Sequence, residues 1–172
     1  MKNGTAIRFV ADAMLGRLAK WLRLTGYDTL YWRGDDARLV RLALGENRVV
    51  LTRDTRIAPR LPPHLTFFID SDYYDEQLNQ VIAHFGLPPR IGCLCVRCNL
   101  PLEPVEKAGL EDEIPPFVWR TQERFTRCSG CLRIYWEGTQ YARMKDAIER
   151  AAAAKMTRSS LDSHAQRNGR CA

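Results

Sequence analysis

An apolar run that stops at a carboxylate and passes at once into a helix pattern constrains this chain more than any other feature. Residues 7–25 read Ile-Arg-Phe-Val-Ala-Asp-Ala-Met-Leu-Gly-Arg-Leu-Ala-Lys-Trp-Leu-Arg-Leu-Thr. Leu15, Leu18, Ala19 and Leu22 fall at core spacing for a helix, with Arg17, Lys20 and Arg23 every third residue beside them. The pattern predicts a buried strand, an acid at its end and a helix with a basic flank. In open α/β sheets ligands bind in the crevice outside the carboxyl ends of the strands, which is where Asp12 falls. Asp is also a favoured N-cap, and taken alone Asp12 fits that structural role better than a functional one.

The arrangement recurs. Gly26 is a natural helix stop, residues 27–32 are aromatic and β-favouring, and Gly34, Asp35 and Asp36 open a second helix with Leu39, Val40, Ala43 and Leu44 on one face, closing near Gly45. Residues 48–52 hold the continuous apolar run of a parallel strand covered on both faces, ending in Thr52-Arg53-Asp54. Pro59, Pro62 and Pro63 allow only a short or irregular helix after it. Residues 65–69 form a fourth strand followed by Asp70 and Asp72, and residues 75–85 an amphipathic helix stopped by Gly86. Four strands alternating with helices predict an α/β fold, a three-layer domain with a mostly parallel sheet over residues 1–88.

A second module is expected over residues 91–138. Cys95-Val-Arg-Cys98 and Cys128-Ser-Gly-Cys131 are two Cys-x-x-Cys pairs, spaced so that four thiolates can hold one tetrahedral zinc. Four thiolates leave no open coordination position, so the metal is structural and supplies folding free energy to a segment too small for its own core. Losing it is expected to unfold this module and spare the α/β domain. Cys93 could compete as a ligand, but the matching two-residue spacing favours Cys95 and Cys98. The loop between the pairs is acidic, and Pro115-Pro116 is expected to break any helix there. Residues 133–136 suggest a strand, 139–155 a C-terminal helix and 156–172 a disordered basic tail carrying a spare Cys171.

Charge is uneven. Residues 1–60 carry twelve Lys and Arg against six Asp and Glu, a net +6, whereas residues 61–154 carry ten against thirteen. A basic surface gathered around a few acids suits a partner with a phosphate backbone, or is simply a solvated face. No stretch approaches the roughly 18 apolar residues that span a bilayer, and the N-terminus lacks a secretory apolar block, so a cytoplasmic protein with no membrane association is expected. Protein partners and oligomeric state are not legible.

Three acids at three junctions of one parallel sheet can converge on one crevice. Asp12, Asp36 and Asp54 would then repel unless cations neutralise them, which points to Mg²⁺ or Mn²⁺, hard ions that accept carboxylate oxygens. Arg17, Lys20, Arg23, Arg53 and Arg56 could hold a polynucleotide backbone.

Phe9-Val-Ala-Asp-Ala-Met-Leu-Gly-Arg-Leu-Ala-Lys-Trp-Leu-Arg-Leu-Thr-Gly-Tyr-Asp-Thr29, Val50-Leu-Thr-Arg-Asp54, the two Cys-x-x-Cys pairs and Arg133-Ile-Tyr-Trp-Glu-Gly138 closely resemble the Mut7-C RNase domain family, across roughly residues 7–144. That family resembles a PIN-type nuclease domain fused to a zinc ribbon. The resemblance implies a metal-dependent ribonuclease with Asp12, Asp36 (or Asp35) and Asp54 as site acids and Asp72, or else Asp70, as a fourth. It also implies a helix after Asp54, where the prolines of this chain predict an interruption. A non-catalytic RNA-binding or ribosome-associated module is the competing reading, and a protein adaptor built on the ribbon a third.

Overall fold

The computed structural model describes residues 7–88, 92–138 and 146. Of the expected helix over 139–155 only Asp146, in helical conformation, is described, and the tail beyond it, Cys171 included, lies outside the described residues. The first region is α/β. Strands β1 (Phe9–Ala11), β2 (Thr29–Tyr31), β3 (Val49–Thr52) and β4 (Thr66–Phe68) form one sheet in the order β2-β1-β3-β4, every pair parallel. Helices α1 (Gly16–Leu24), α2 (Asp36–Glu46) and α3 (Tyr74–Phe85) connect and cover it.

Alternation along β1 assigns the layers. Phe9 and Ala11 face a core with Leu18 and Leu22 of α1 and Leu78, Val81 and Ile82 of α3. Val10 faces the other way, with Val50 of β3 against Leu39 and Ala43 of α2. All three β1 residues are buried, each large one contributing about 1.5–3 kcal/mol relative to exposure. The chain steps from β1 outward to β2, then crosses back to β3 on the far side of β1. The direction therefore reverses between β1 and β3, and the crevice at their carboxyl ends is where ligands bind in open α/β sheets. The prolines after β3 give two short 3₁₀ turns, Ala58–Arg60 and Pro63–Leu65, that carry Ile57 and Leu61 onto the α2 face.

Three local expectations are corrected. Gly45 lies inside α2, which ends at Asn47 in the left-handed conformation (φ 51°), a backbone state short polar Asn tolerates. Pro116 starts a helix instead of preventing one: α4 (Pro116–Thr121) has it in the first turn, where a missing N–H costs nothing. Arg23 is buried, and its reason is periodic. Three-residue steps on a helix drift by about 60° each, so the stripe begun at Arg17 and Lys20 has turned inward by Arg23.

The cysteine-bearing region has an antiparallel sheet of β5 (Leu102–Val105), β6 (Phe125–Cys128) and β7 (Ile134–Trp136) in that order, over a small core of Leu110, Ile114 and Phe125. Pro104 is tolerated because β5 is an edge strand. This region is fastened to the first sheet along the outer edge of β2. Arg23 donates from Nε to Thr29 O (2.7 Å) and from one terminal nitrogen to Val96 O and Arg97 O (3.0 Å each). Thr29 N–H donates to Asn99 Oδ1 at 3.0 Å, and Asn99 Nδ2 donates to Asp28. Edge groups of β2 are thereby satisfied, Thr29 N–H by Asn99 of the first cysteine turn and Thr29 O by Arg23.

Asp28 also pairs with buried Arg48 (2.8 and 3.0 Å), which bonds Glu46 at 2.7 Å and Phe9 O at 3.1 Å. Burial alone pushes the Asp28 carboxyl up, but hydrogen bonds from Arg48 and Asn99 outweigh it and hold it below its ordinary value. Its stabilising contribution is therefore present above the unfolded carboxylate range and lost as pH falls through the folded pKa. Arg48→Met leaves that carboxylate without its main partner and should cost about 3 kcal/mol. Urea unfolding at pH 7 and below pH 4 checks this: the deficit should shrink in acid, and a deficit independent of pH would count against it.

Candidate active site and metal centre

Asp12 follows β1 directly, and its backbone N–H continues the sheet by donating to Leu51 O (3.1 Å). Its side chain caps the 3₁₀ turn Ala13–Leu15 by accepting from Met14 N–H at 2.9 Å, so the capping role is present. The other carboxylate oxygen has different partners. It accepts a very short bond from the Thr52 hydroxyl and a 3.2 Å bond from Arg53 N–H, both from the end of β3. The same Thr52 oxygen accepts from Asp54 N–H at 2.9 Å. Thr52 thus links the two acids across the point where the chain direction reverses, and Asp12 is 5% exposed, enclosed by these partners.

Asp54 is not a bare carboxylate. Arg56 donates its backbone N–H (2.8 Å) and its guanidinium to both oxygens, with the closest contact at 2.6 Å. These bonds hold the Asp54 carboxyl down at about 2. The charge of Asp36 also acts on Arg56, and Asp36 lies 3.9 Å from the Arg60 guanidinium. Asp35 is the N-cap of α2, accepting from Arg38 N–H at 2.9 Å, and Asp36 is the first helical residue. Asp72 is exposed at the rim and pairs with Arg53 at 2.5 Å, while Asp70 is exposed with its backbone N–H on Gln80.

The acids are thus interleaved with arginines, where the sequence suggested uncompensated carboxylates. Among the described residues, Asp12, Asp36 and Asp54 do not close into a three-carboxylate cluster. Asp12 and Asp54 keep oxygen donors of the kind hard divalent ions take, so the residues fit such an ion in chemistry, with Arg56 as its competitor at Asp54. Among the expected phosphate-binding cations, Arg17 and Lys20 are exposed with no carboxylate partner among the described residues, and Arg53 and Arg56 are paired at the crevice. Arg23 leaves the set, because three backbone carbonyls occupy its guanidinium.

The cysteines do come together. The sulfurs of Cys95, Cys98, Cys128 and Cys131 lie within 4.8 Å of one another, the one such group of metal-ligating side chains among the described residues. Zinc–sulfur bonds of about 2.3 Å require tetrahedral edges of about 3.8 Å, and Cys95 Sγ to Cys131 Sγ is 3.7 Å. The two turns match in form: Asn99 N–H donates to Cys95 O and Leu132 N–H to Cys128 O, with Asn99 and Leu132 both left-handed (φ 62° and 58°). Cys93 stays outside, exposed, its backbone O paired with Leu102 N–H. Four such thiols could hold a metal such as zinc.

Burial pushes the Cys95 thiol up, but the Tyr135 hydroxyl at 3.0 Å and backbone N–H groups, Cys98 among them, overrule it and hold it at about 6. Hydrogen bonding to Cys131, burial and the neighbouring sulfurs push Cys98 up to about 12. Tyr135 had given no sign in the sequence beyond its place in the final strand, and Thr52 none beyond its place in Thr-Arg-Asp.

Residues 7–148 match the family model of the Mut7-C RNAse domain. The chain belongs to that family. No curated protein and no solved structure matches it significantly. Membership in the Mut7-C RNase domain family suggests a ribonuclease-type function with RNA as substrate, and the matched span holds both the Asp12–Thr52–Asp54 array and the four cysteines. No described helix of this Mut7-C RNase domain is long and apolar enough to cross a membrane.

Proposed function

We propose that this chain is a metal-dependent ribonuclease built on a PIN-like domain, with Asp12, Asp36 and Asp54 as the acidic site and a structural zinc at Cys95, Cys98, Cys128 and Cys131. The single observation that carries the reading is the Thr52 bridge, which ties Asp12 to the Asp54 turn at the β1/β3 crevice. A divalent Mg²⁺ or Mn²⁺ bound there would activate water and offset phosphodiester charge. The chain's own residues do the positioning. Thr52 holds Asp12 and the Asp54 backbone in register, Arg53 fixes the loop that carries Asp72, and the exposed Arg17 and Lys20 offer positive charge to the RNA backbone.

A second reading, RNA binding without hydrolysis, has one observation in its favour: Arg56 already satisfies both Asp54 oxygens. The two readings part in one assay. Purified protein incubated with labelled single-stranded RNA should cleave it when Mg²⁺ or Mn²⁺ is added and not otherwise. Bound but intact RNA across a titration of both ions would transfer the conclusion to the binding reading.

A further inference from the structure

The two faces of β7 have different neighbours. Ile134 and Trp136 pack against the small core of Leu110, Ile114 and Phe125, so by strand alternation Tyr135 points to the opposite face, that of the cysteines. It lies across from Thr126 of β6, two residues before Cys128. Its hydroxyl crosses to the other cysteine turn and meets Cys95 Sγ at 3.0 Å. The phenol thereby joins the two turns: its strand follows the second, and its hydrogen bond ends on the first.

Burial gives that contact its weight. Cys95 and Cys128 are buried, whereas Cys98 and Cys131 are partly exposed. Four thiolates around one divalent ion leave about two net negative charges, and a sulfur shielded from water needs donors from the protein. Cys95 receives Cys98 N–H at 3.3 Å, from its own turn, and has the phenol beside it. Between a thiol and a phenol either group can donate. A metal-bound Cys95 has no proton left, and a phenol, ordinarily titrating at about 10, keeps its own at neutral pH, so the bond then has one direction, from Tyr135 to sulfur.

We propose that Tyr135 is a positioning residue for the metal: its hydroxyl donates to the Cys95 thiolate of the loaded site and so governs how firmly the ion is held. The proposal rests on the zinc reading of the four cysteines and adds a residue outside the ligand set on which retention depends. A hydrogen bond to an ionised acceptor is roughly twice as strong as one between neutral groups. Here it holds the Cys95 sulfur in place and spreads its charge. Phenylalanine at this position keeps the ring and its packing and loses only the donor, which leaves a buried thiolate short of a partner.

The test uses the full chain loaded with Zn²⁺ and titrated with a chelator of known affinity, and the same chain loaded with Co²⁺ and read by absorption. Tyr135→Phe should hold zinc at least about tenfold more weakly, the scale on which the hydrogen-bond partners of metal ligands act. In the cobalt form its d–d bands should stay those of a tetrahedral tetrathiolate site. The sulfur-to-cobalt charge-transfer band should move to longer wavelength, since a sulfur that has lost a hydrogen bond gives up its electron more easily. Fluorotyrosine placed at position 135 alone is a stronger donor and should move that band to shorter wavelength, so the test does not depend on the folding of the Phe variant. Parent-like retention in the Phe variant, weaker retention with an unmoved band, or a band indifferent to fluorotyrosine would each overturn the proposal. A parent that takes up neither ion would end the zinc reading and this role together, whereas a loaded parent whose band is indifferent to residue 135 removes Tyr135 alone.

Discussion

Asp54→Asn should reduce metal-dependent RNA hydrolysis on the order of a hundredfold or more, the scale of removing one preorganised electrostatic group, and leave the fold in place. The substitution suits the question because it spares the turn. Asn accepts the Arg56 backbone N–H as Asp does, and the Asp54 N–H to Thr52 bond does not involve the side chain. What is lost is one charge and its pairing with an exposed guanidinium, which water and salt screen, so it adds little to stability. Thermal unfolding should therefore hardly move while cleavage collapses. RNA binding without divalent metal should hold or tighten, since an anion has left a basic crevice and Arg56 is freed for phosphate.

The pH dependence is also fixed in sign. Arg56 keeps the Asp54 carboxyl at about 2, so Asp54 is ionised at every pH above about 4, and an acid limb in hydrolysis above that range belongs to another group. Cleavage that persists undiminished in Asp54→Asn, once contaminating nucleases are excluded, would remove Asp54 from the site and with it the proposed mechanism.

Asp12 and Asp54 were legible as candidates because strand and helix periods change at each of them, and a change of period marks a junction. Thr52 was not, since a threonine at the end of a strand is ordinary. Only the register, with β3 beside β1, brings its hydroxyl to Asp12. Arg56 illustrates the same limit in the opposite direction: it reads as a free cation for phosphate, yet two residues of chain let it fold back on Asp54. The four cysteines were fully legible, because spacing alone confines two Cys-x-x-Cys pairs to two tight turns. The Asn47 helix end was missed because Gly45 offered a stop two residues earlier, and helix propensity at one glycine is a weak term against the packing of Leu39 and Ala43.

Arg23 carries the most consequential departure, because it changes what metal loss should do. The sequence led to two independent regions, with the α/β domain indifferent to the cysteines. Arg23 instead spends its guanidinium on Val96 O and Arg97 O inside the first Cys-x-x-Cys turn and on Thr29 O of β2, and Asn99 from that turn satisfies Thr29 N–H. If the turn opens, a buried guanidinium and an edge strand lose their partners together. Hydrogen bonds to a charged group contribute about 1.5–3 kcal/mol each, so the cost passed to the α/β domain is on the order of 3 kcal/mol.

Cys128→Ser, or chelation of the parent, should therefore unfold the cysteine region and also raise amide exchange at residues 29–31. Release should follow pH as well. The metal competes with protons for sulfur, so retained metal should fall as the pH is lowered. Arg23→Met should break the linkage: β2 exchanges faster from the outset, and chelation adds little more. Exchange at residues 29–31 that is unaltered by metal removal in the parent would show that the two sheets do not share their stability, and that the contacts of Arg23 and Asn99 carry no coupling between them.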